Sequence, residues 1–466
     1  MYARTWGETT CGINGEMIVV EVDVANGKFN FEIVGLADTA VKESRERVRS
    51  AIKNSSCKFP DQHITVNLAP ADLKKDGSGL DLPIAIGILA AQARLELPKD
   101  DAPVFVGELA LDGSLRPVSG ILPMILRARD EGRGSIFIPA GNAEEGELVD
   151  GINVFTAHHL SEIVRHLKGE AALLPLKKCL RFSEEEIPTT VDFSDVQGQV
   201  VAKRALEIAA AGGHNILMVG APGAGKTMLA RRLPTILPPM TEEEALEVTK
   251  IYSIAGLLSH RHGIVMERPF RSPHHTVSNS ALIGGGSIPK PGEVTLSHHG
   301  VLFLDELPEF TRSSLEVLRQ PLEDRIVTIS RVQATLTFPA DFILVAAQNP
   351  CPCGFLGDRE VPCRCSASMV ERYRSKLRGP LADRIDLMID VTRPDPQVII
   401  EGAEGMSSAE LRDYVVRGRA FRVWRETHMD DADAEAEDDE SRSIDGVVST
   451  FALDEAAEKC VLGLSK

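Results

Sequence analysis

The run Gly220-Ala221-Pro222-Gly223-Ala224-Gly225-Lys226-Thr227 constrains this chain more than any other eight residues in it. It fits G-x-x-x-x-G-K-[ST], follows the apolar stretch Asn215–Val219 and opens a predicted helix, Met228–Leu233. A glycine-rich turn between a buried strand and a helix N-terminus is a phosphate cradle. Its glycines permit backbone conformations that turn N–H groups toward phosphate oxygens, and the helix adds the positive end of its dipole. In that setting Lys226 reaches the β- and γ-phosphates and Thr227 ligates Mg²⁺. The pattern therefore predicts ATP and Mg²⁺ as cofactors.

A second motif completes the first. Val301-Leu-Phe-Leu-Asp305-Glu306 reads as a buried strand with an acidic pair at its carboxyl edge, where open α/β sheets bind ligands. Asp305 is placed to hold Mg²⁺ through water, and Glu306 to orient and deprotonate the attacking water. A third apolar run, Phe342–Ala347, ends in Gln348-Asn349. Asn349 reads either as a sensor of the γ-phosphate or water, or as a strand-end residue that caps a turn.

The alternation of short apolar runs with helical patterns around these motifs predicts a mostly parallel sheet with helices on both faces. This unit spans 191–393. Residues 1–170 read as a separate α/β domain. In it Met17–Val24 and Phe29–Val34 alternate like two strands paired around the turn Ala25–Lys28. Ile64–Leu68, Val104–Leu109 and Ser135–Pro139 read as further strands, and Thr39–Asn54 and Leu82–Ala93 as helices. The proline-bearing stretch 171–190 reads as a linker. Residues 394–466 read as a helical lid, interrupted by an acidic loop at 430–440 that holds eight acidic residues in eleven.

The net charge of −17 argues against indiscriminate nucleic-acid binding but not against a local basic channel. No stretch approaches the ~20 apolar residues of a membrane helix. Met1–Glu8 lacks the basic and apolar regions of a secretory signal, so the cytoplasm is expected. Cys11, Cys57, Cys179 and Cys460 are scattered, as thiols are in a reducing compartment. Cys351, Cys353, Cys363 and Cys365 are not scattered. As two C-x-C pairs they fit a tetrahedral Zn²⁺ site, with reduced thiols and iron–sulfur ligation as the alternatives.

Several longer segments carry a resemblance. Arg268–Ser278 (RPFRSPHHTVS), Ala281–Gly286, Pro291–Val294, Gly300–Phe310 and Asn349–Gly354 resemble the ComM/YifB family, the magnesium-chelatase-like AAA+ ATPases of bacteria. The resemblance implies a homo-hexameric ATPase that acts on branched or single-stranded DNA. It implies helicase or branch-migration work in recombination and natural transformation, with recombination or competence proteins as partners. It also implies kinship with magnesium-chelatase subunits and replicative helicases, so a chelatase-like or protein-remodelling ATPase is the alternative. A non-catalytic binding module is a third reading.

By the same resemblance Arg384, in Gly379–Asp386, is an arginine finger for a neighbouring subunit; a salt-bridging surface arginine is its alternative. His260–His299 resembles a pore-facing insertion. Val327–Arg331 with Ala334–Phe338 resembles a pore hairpin, which puts Arg331 near a tip that would track DNA phosphates. His274 and His275 would either contact DNA or shape the insertion by internal hydrogen bonds. The amino-terminal domain resembles the Lon-protease type through Lys75-Asp76-Gly77 and Leu115–Ile121. Gly79 and Leu122 fall where the Lon serine and lysine stand, so a non-proteolytic module is implied. Family members continue past a Leu-Gly-Leu-Ser-x-Arg segment with lid helices that carry a second sensor arginine. The sequence here ends at Leu462–Lys466, which implies a truncated lid.

Overall fold

The computed structural model describes residues 1–433 apart from 37, 74, 76, 94, 96, 99–101, 179–189, 259–262, 287–288, 332–333, 359–360, 377–380 and 394–404. Most of the expected linker, the acidic run beyond Asp433, Leu462–Lys466 and the side chain of Arg331 lie outside the described residues.

The amino-terminal elements are β1 (Tyr2–Cys11), β2 (Asn14–Ala25), β3 (Asn30–Val34), α1 (Thr39–Asn54), β4 (His63–Ala69), α2 (Asp81–Ala91), β5 (Val104–Phe105), β6 (Glu108–Leu109), β7 (Leu115–Arg116), α3 (Ile121–Asp130), β8 (Ser135–Pro139), α4 (Ala143–Gly146), β9 (Asn153–Ala157) and α5 (Leu160–Leu167). Seven strands form one mixed sheet in the order β3-β4-β2-β1-β5-β8-β9. Alternation along β2 sends Ile18, Val20, Val22 and Val24 into the core beneath α1, α2 and α5. The opposite face of the sheet packs on α3, where Trp6 and Met17 meet Ile121, Leu122 and Ile125.

Three expectations change here. First, β2 and β3 are not neighbours. β4 lies between them, antiparallel to β2 and parallel to β3. The hairpin partner of β2 is β1, joined by the two-residue turn Gly12-Ile13 with Gly12 at φ +64°. That turn fixes the pairing in a way Ala25–Lys28 does not. Second, the strand expected over Val104–Leu109 is two short ones. Gly107 leaves the ladder to donate to Gly79 O and accept from Leu82 N–H. Third, the start of the expected linker lies along β9. Leu176 N–H donates to Val154 O (2.8 Å), and Leu173 and Leu176 add to the two cores.

The second unit contains α6 (Val200–Gly212), β10 (Ile216–Val219), α7 (Lys226–Ile236), α8 (Glu242–Ala255), β11 (Phe270–Arg271), α9 (Asn279–Ile283), β12 (Gly284–Gly285), β13 (Lys290–Pro291), α10 (Glu293–Leu296), β14 (Val301–Leu304), α11 (Arg312–Glu316), α12 (Arg319–Asp324), β15 (Ile326–Arg331), β16 (Ala334–Pro339), β17 (Ile343–Gln348), α13 (Ala367–Ser375), β18 (Leu387–Asp390) and α14 (Ser408–Asp433). Its five-stranded sheet has the order β11-β14-β17-β10-β18 with every pairing parallel. β10, β14 and β17 are buried throughout and read as continuous apolar runs, as strands covered on both faces do. The chain leaves β10 for the far edge and returns through β14 and β17, so β10 sits at the switch point where α/β sheets bind ligands. α14 packs on α6 and α7.

The two units touch through α8. Gly120 N–H donates to Ser253 O (3.0 Å), and Ser253 Oγ donates to the Glu145 carboxylate (2.5 Å). The β1–β2 turn meets the other unit as well: Ile13 packs in the cluster that contains Leu336 of β16.

Candidate active site

β10 and β14 end at one edge of the sheet with β17 between them. Val219 pairs with Gln348, and Leu304 with Ala346. This register brings the glycine-rich turn, the acidic pair and Asn349 to one place. The turn is built as the sequence predicts. Gly223 and Gly225 have φ +79° and +91°, values that side-chain-bearing residues rarely adopt. Gly220 answers to crowding instead, because a Cβ there would lie 2.3 Å from Val391 O at the end of β18.

Lys226 opens α7 and is buried. Its Nζ donates to Gly220 O (2.6 Å), Ala221 O (3.1 Å) and Asn349 Oδ1 (3.3 Å). Burial pulls its ammonium below the ordinary lysine value, while Asp305 and Glu306 oppose the shift. Thr227 Oγ1 donates to Asp305 Oδ2 at 3.0 Å. A hydroxyl and a carboxylate meeting beside a buried ammonium form a donor set that fits Mg²⁺ and a nucleotide's phosphates. Asp305 Oδ1 also accepts the Glu306 N–H (2.9 Å).

Glu306 follows in the left-handed region, φ +52° and ψ +45°. Strain of this kind at a non-glycine residue marks a position held for a purpose. Its carboxylate is about half exposed and lies 3.5 Å from His275 Nδ1. His274 stacks on His275 with ring centroids 4.0 Å apart and contacts Thr276 Oγ1 at 2.9 Å. The internal bond is thus present for His274, whereas His275 faces Glu306, a contact that sequence reading missed.

Glu306 and Asn349 line a cavity of about 390 Å³. Its other wall comes from α13, a segment the motifs do not touch. The cysteine loop joins β17 to α13. The sulfurs of Cys351, Cys353 and Cys363 are 3.4–3.6 Å apart, and all four, with Cys365, lie within 4.8 Å of one another. Four thiolates on one Zn²⁺ at about 2.3 Å would be separated by roughly 3.8 Å, so the cluster has nearly that size. Backbone N–H groups of Arg364 and Phe355 pull the Cys353 thiol down to about 6, whereas burial and the neighbouring thiols push Cys363 up and Cys365 up to about 12. The loop also braces the phosphate turn. Arg393 Nη2 donates to Pro222 O (3.2 Å), pairs with Asp358 (3.6 Å) and stands over the Phe355 ring. Gln199 ties Ala224 O to Thr392 O (3.1 and 2.7 Å), another support that no motif announced.

Arg384 stands elsewhere. Its guanidinium pairs with Glu323, and its carbonyl accepts from Asn215 Nδ2 (2.9 Å) just before β10 begins. That is the amino edge of the sheet, a strand length of roughly 13 Å from the turn. Arg384 therefore does not serve its own pocket; the ion pair is what the chain itself provides. Arg331 ends β15 opposite Ala334.

In the amino-terminal domain the two dyad positions meet an apolar wall. Leu122 is fully buried beside Val106. A Cβ on Gly79 would touch Val106 Cγ1 at 3.5 Å. Neither position offers a nucleophile or a base.

A phosphate turn, an acidic pair one strand removed and a polar residue on the strand between define a P-loop ATPase core of the AAA+ class. Residues 192–399 match the family described as "Magnesium chelatase, subunit ChlI", and residues 20–142 match "Subunit ChlI of Mg-chelatase". The chain is 45% identical over 431 residues to the competence protein ComM of Haemophilus influenzae, covering 91% of this chain and 83% of that one. It is 46% identical over 422 residues to the uncharacterized protein YifB of Salmonella typhimurium, covering 90% and 81%. It is also 26% identical over 168 residues to Lon protease 2 of Bacillus subtilis, covering 32% and 30%. The chain belongs to the ComM/YifB family of magnesium-chelatase-like AAA+ ATPases, with a Lon-like domain ahead of the core. Among the described residues, no helix is long and apolar enough to cross a membrane.

Proposed function

We propose that the chain hydrolyses ATP as a homo-hexameric ring that moves on branched or single-stranded DNA and drives helicase or branch-migration steps. The observation that carries the hydrolysis is the 3.0 Å contact of Thr227 with Asp305, with Glu306 and Asn349 on the same edge. Lys226 and the N–H groups of 221–227 bind the phosphates. Thr227 and Asp305 hold the Mg²⁺, which supplies charge neutralisation. Glu306 accepts the proton of the attacking water, and Asn349 fixes its position. Arg384, remote from its own pocket, reaches the neighbour's nucleotide once it exchanges Glu323 for phosphate.

The DNA substrate is supported by likeness to a competence protein of Haemophilus influenzae and by the β15–β16 hairpin with Arg331 at its end. In this reading Cys351, Cys353, Cys363 and Cys365 hold Zn²⁺, the domains divide near 170, 190 and 393, and the protein works in the cytoplasm beside recombination or competence proteins. The test is ATP turnover with and without forked DNA, on wild type and Arg331→Ala. Wild-type turnover should rise with DNA. Arg331→Ala should keep basal turnover, bind DNA more weakly on any sequence and lower the salt dependence of binding. Turnover indifferent to DNA but raised by a partner protein would assign the chain to protein remodelling instead.

A further inference from the structure

The cavity beside Glu306 and Asn349 has a third wall, and no motif assigns its residues. That wall is α13, and it is fixed at both ends and in the middle. Cys365 of the cysteine cluster precedes its N-cap, Ser366, whose side chain accepts from Met369 N–H. Tyr373 is buried and its phenol accepts the backbone N–H of Asn349. Burial first, and then the Glu309 carboxylate, push that phenol up to about 12, so it stays neutral. Lys376 Nζ donates to Pro308 O at 3.0 Å and lies 3.7 Å from Glu309. The helix is thus tied to the strand end that bears Asn349 and to the turn that follows Glu306.

Arg372 is the remaining cation on this wall, and it lines the same cavity. Its neighbours on the wall have partners: Tyr373 is bonded to Asn349 and Lys376 to Pro308 and Glu309. Among the described residues the Arg372 guanidinium has no hydrogen-bond or carboxylate partner. Lys226 reaches Asn349, with its Nζ 3.3 Å from Asn349 Oδ1. Asn349 lines that cavity too, so a phosphoryl group held by Lys226 and Asn349 faces the space into which the uncommitted Arg372 opens. Arginine presents paired N–H groups that match phosphate oxygens, which a lysine at the same place would not.

We propose that Arg372 is a catalytic residue that contacts the terminal phosphoryl group of the nucleotide. The inference rests on the ATP-hydrolysis reading of this site. In the step, a water oxygen forms a bond to the γ-phosphorus, its proton passes to Glu306, and the bond to the β-phosphate oxygen breaks to release ADP and phosphate. Arg372 exchanges no proton or electron. It holds charge on the γ-phosphate oxygens, and that charge is absent from ADP.

The absence of that charge from ADP supplies the test. Wild type, Arg372→Gln and Arg372→Lys are compared for hydrolysis and for binding of ADP and of a non-hydrolysable triphosphate. Arg372→Gln should lower turnover about 100-fold, the loss typical of one oriented donor. It should weaken triphosphate binding about tenfold while ADP binding stays within twofold, and Arg372→Lys should recover part of the triphosphate binding. Equal weakening toward both nucleotides would mean that Arg372 only supports the fold, and overturns the proposal. So would turnover within threefold of wild type. If wild type itself hydrolyses no ATP, the parent reading fails; the ratio of triphosphate to diphosphate binding then still decides Arg372.

Discussion

The two α/β units of this chain treat comparable places in opposite ways. In the core, Lys226, Asp305, Glu306 and Asn349 gather at a sheet edge, with a buried ammonium and a left-handed glutamate among them. In the Lon-like domain, the places of serine and lysine hold Gly79 and fully buried Leu122 against Val106. Polar groups that crowd together unfavourably are kept where they bind and react. Where that chemistry is missing, apolar packing has taken the space, because an unpartnered polar group there would only destabilise. The Lon-like domain packs on α8 through Gly120, Glu145 and Ser253.

The largest effect should come from the core. Glu306→Gln keeps the shape and removes the base, so turnover should fall by up to about 10⁴-fold while ATP binding persists. Nucleotide titration beside a phosphate-release assay checks this. Turnover near wild type would erase the contrast between the two sites, because the strained glutamate would then have no chemical role.

Next comes the reverse experiment in the other unit. Leu122→Lys restores the residue type a Lon dyad requires, but places an ammonium in a packed apolar core among Ile121, Ile125 and Val106. It should destabilise the domain by about 3–5 kcal/mol, read by denaturant unfolding. The double variant Gly79→Ser/Leu122→Lys should cleave no peptide. Peptidase activity in the double variant would mean that the site is dormant rather than dismantled.

The contrast between the units also explains what was legible in the sequence. The phosphate turn and the acidic pair could be read because the chemistry demands given residue types at fixed places beside a strand, and local order preserves those places. The four cysteines were readable by type, but their convergence depends on how the loop between Cys353 and Cys363 folds back. α13 was invisible as part of the site, since Arg372, Tyr373 and Lys376 reach it only through that loop. β1 escaped notice for a different reason. Thr5, Glu8 and Thr9 are buried in it, which spoils the alternation that marks a strand. The β2–β3 hairpin was misread because alternation gives a strand's faces and not its neighbours.

Glu8 offers a smaller test of the same rule. It is fully buried, and neither carboxylate oxygen has a hydrogen-bond partner. Burial raises its pKa well above the ordinary 4.5, with Arg127 opposing the shift. The folded state therefore keeps a proton that the unfolded chain releases. Stability from this group is complete below about 4.5 and is lost as pH rises through the raised value. Glu8→Gln should match wild type near pH 4 and become more stable by on the order of 1 kcal/mol by pH 8. Thermal unfolding across that range decides it; a constant difference at every pH would show that Glu8 is ionised and compensated in the fold.

The smallest effect belongs to Gly79→Ser alone. The position has no left-handed backbone to protect, and the new Cβ would meet Val106 Cγ1 at 3.5 Å, an ordinary contact. Gly79 O still accepts from Gly107 N–H, because that bond uses only the backbone. The site is half-buried, so the hydroxyl can reach water and carries no desolvation penalty of the kind Leu122→Lys brings. Stability should therefore stay within about 0.5 kcal/mol of wild type, and ATP turnover should not change. Leu122 fills the lysine's place, so a serine-directed fluorophosphonate should leave the new hydroxyl unlabelled. Labelling at Ser in the variant would mean that another group activates the hydroxyl, and the comparison between a working edge and an emptied one would fail at its weaker end.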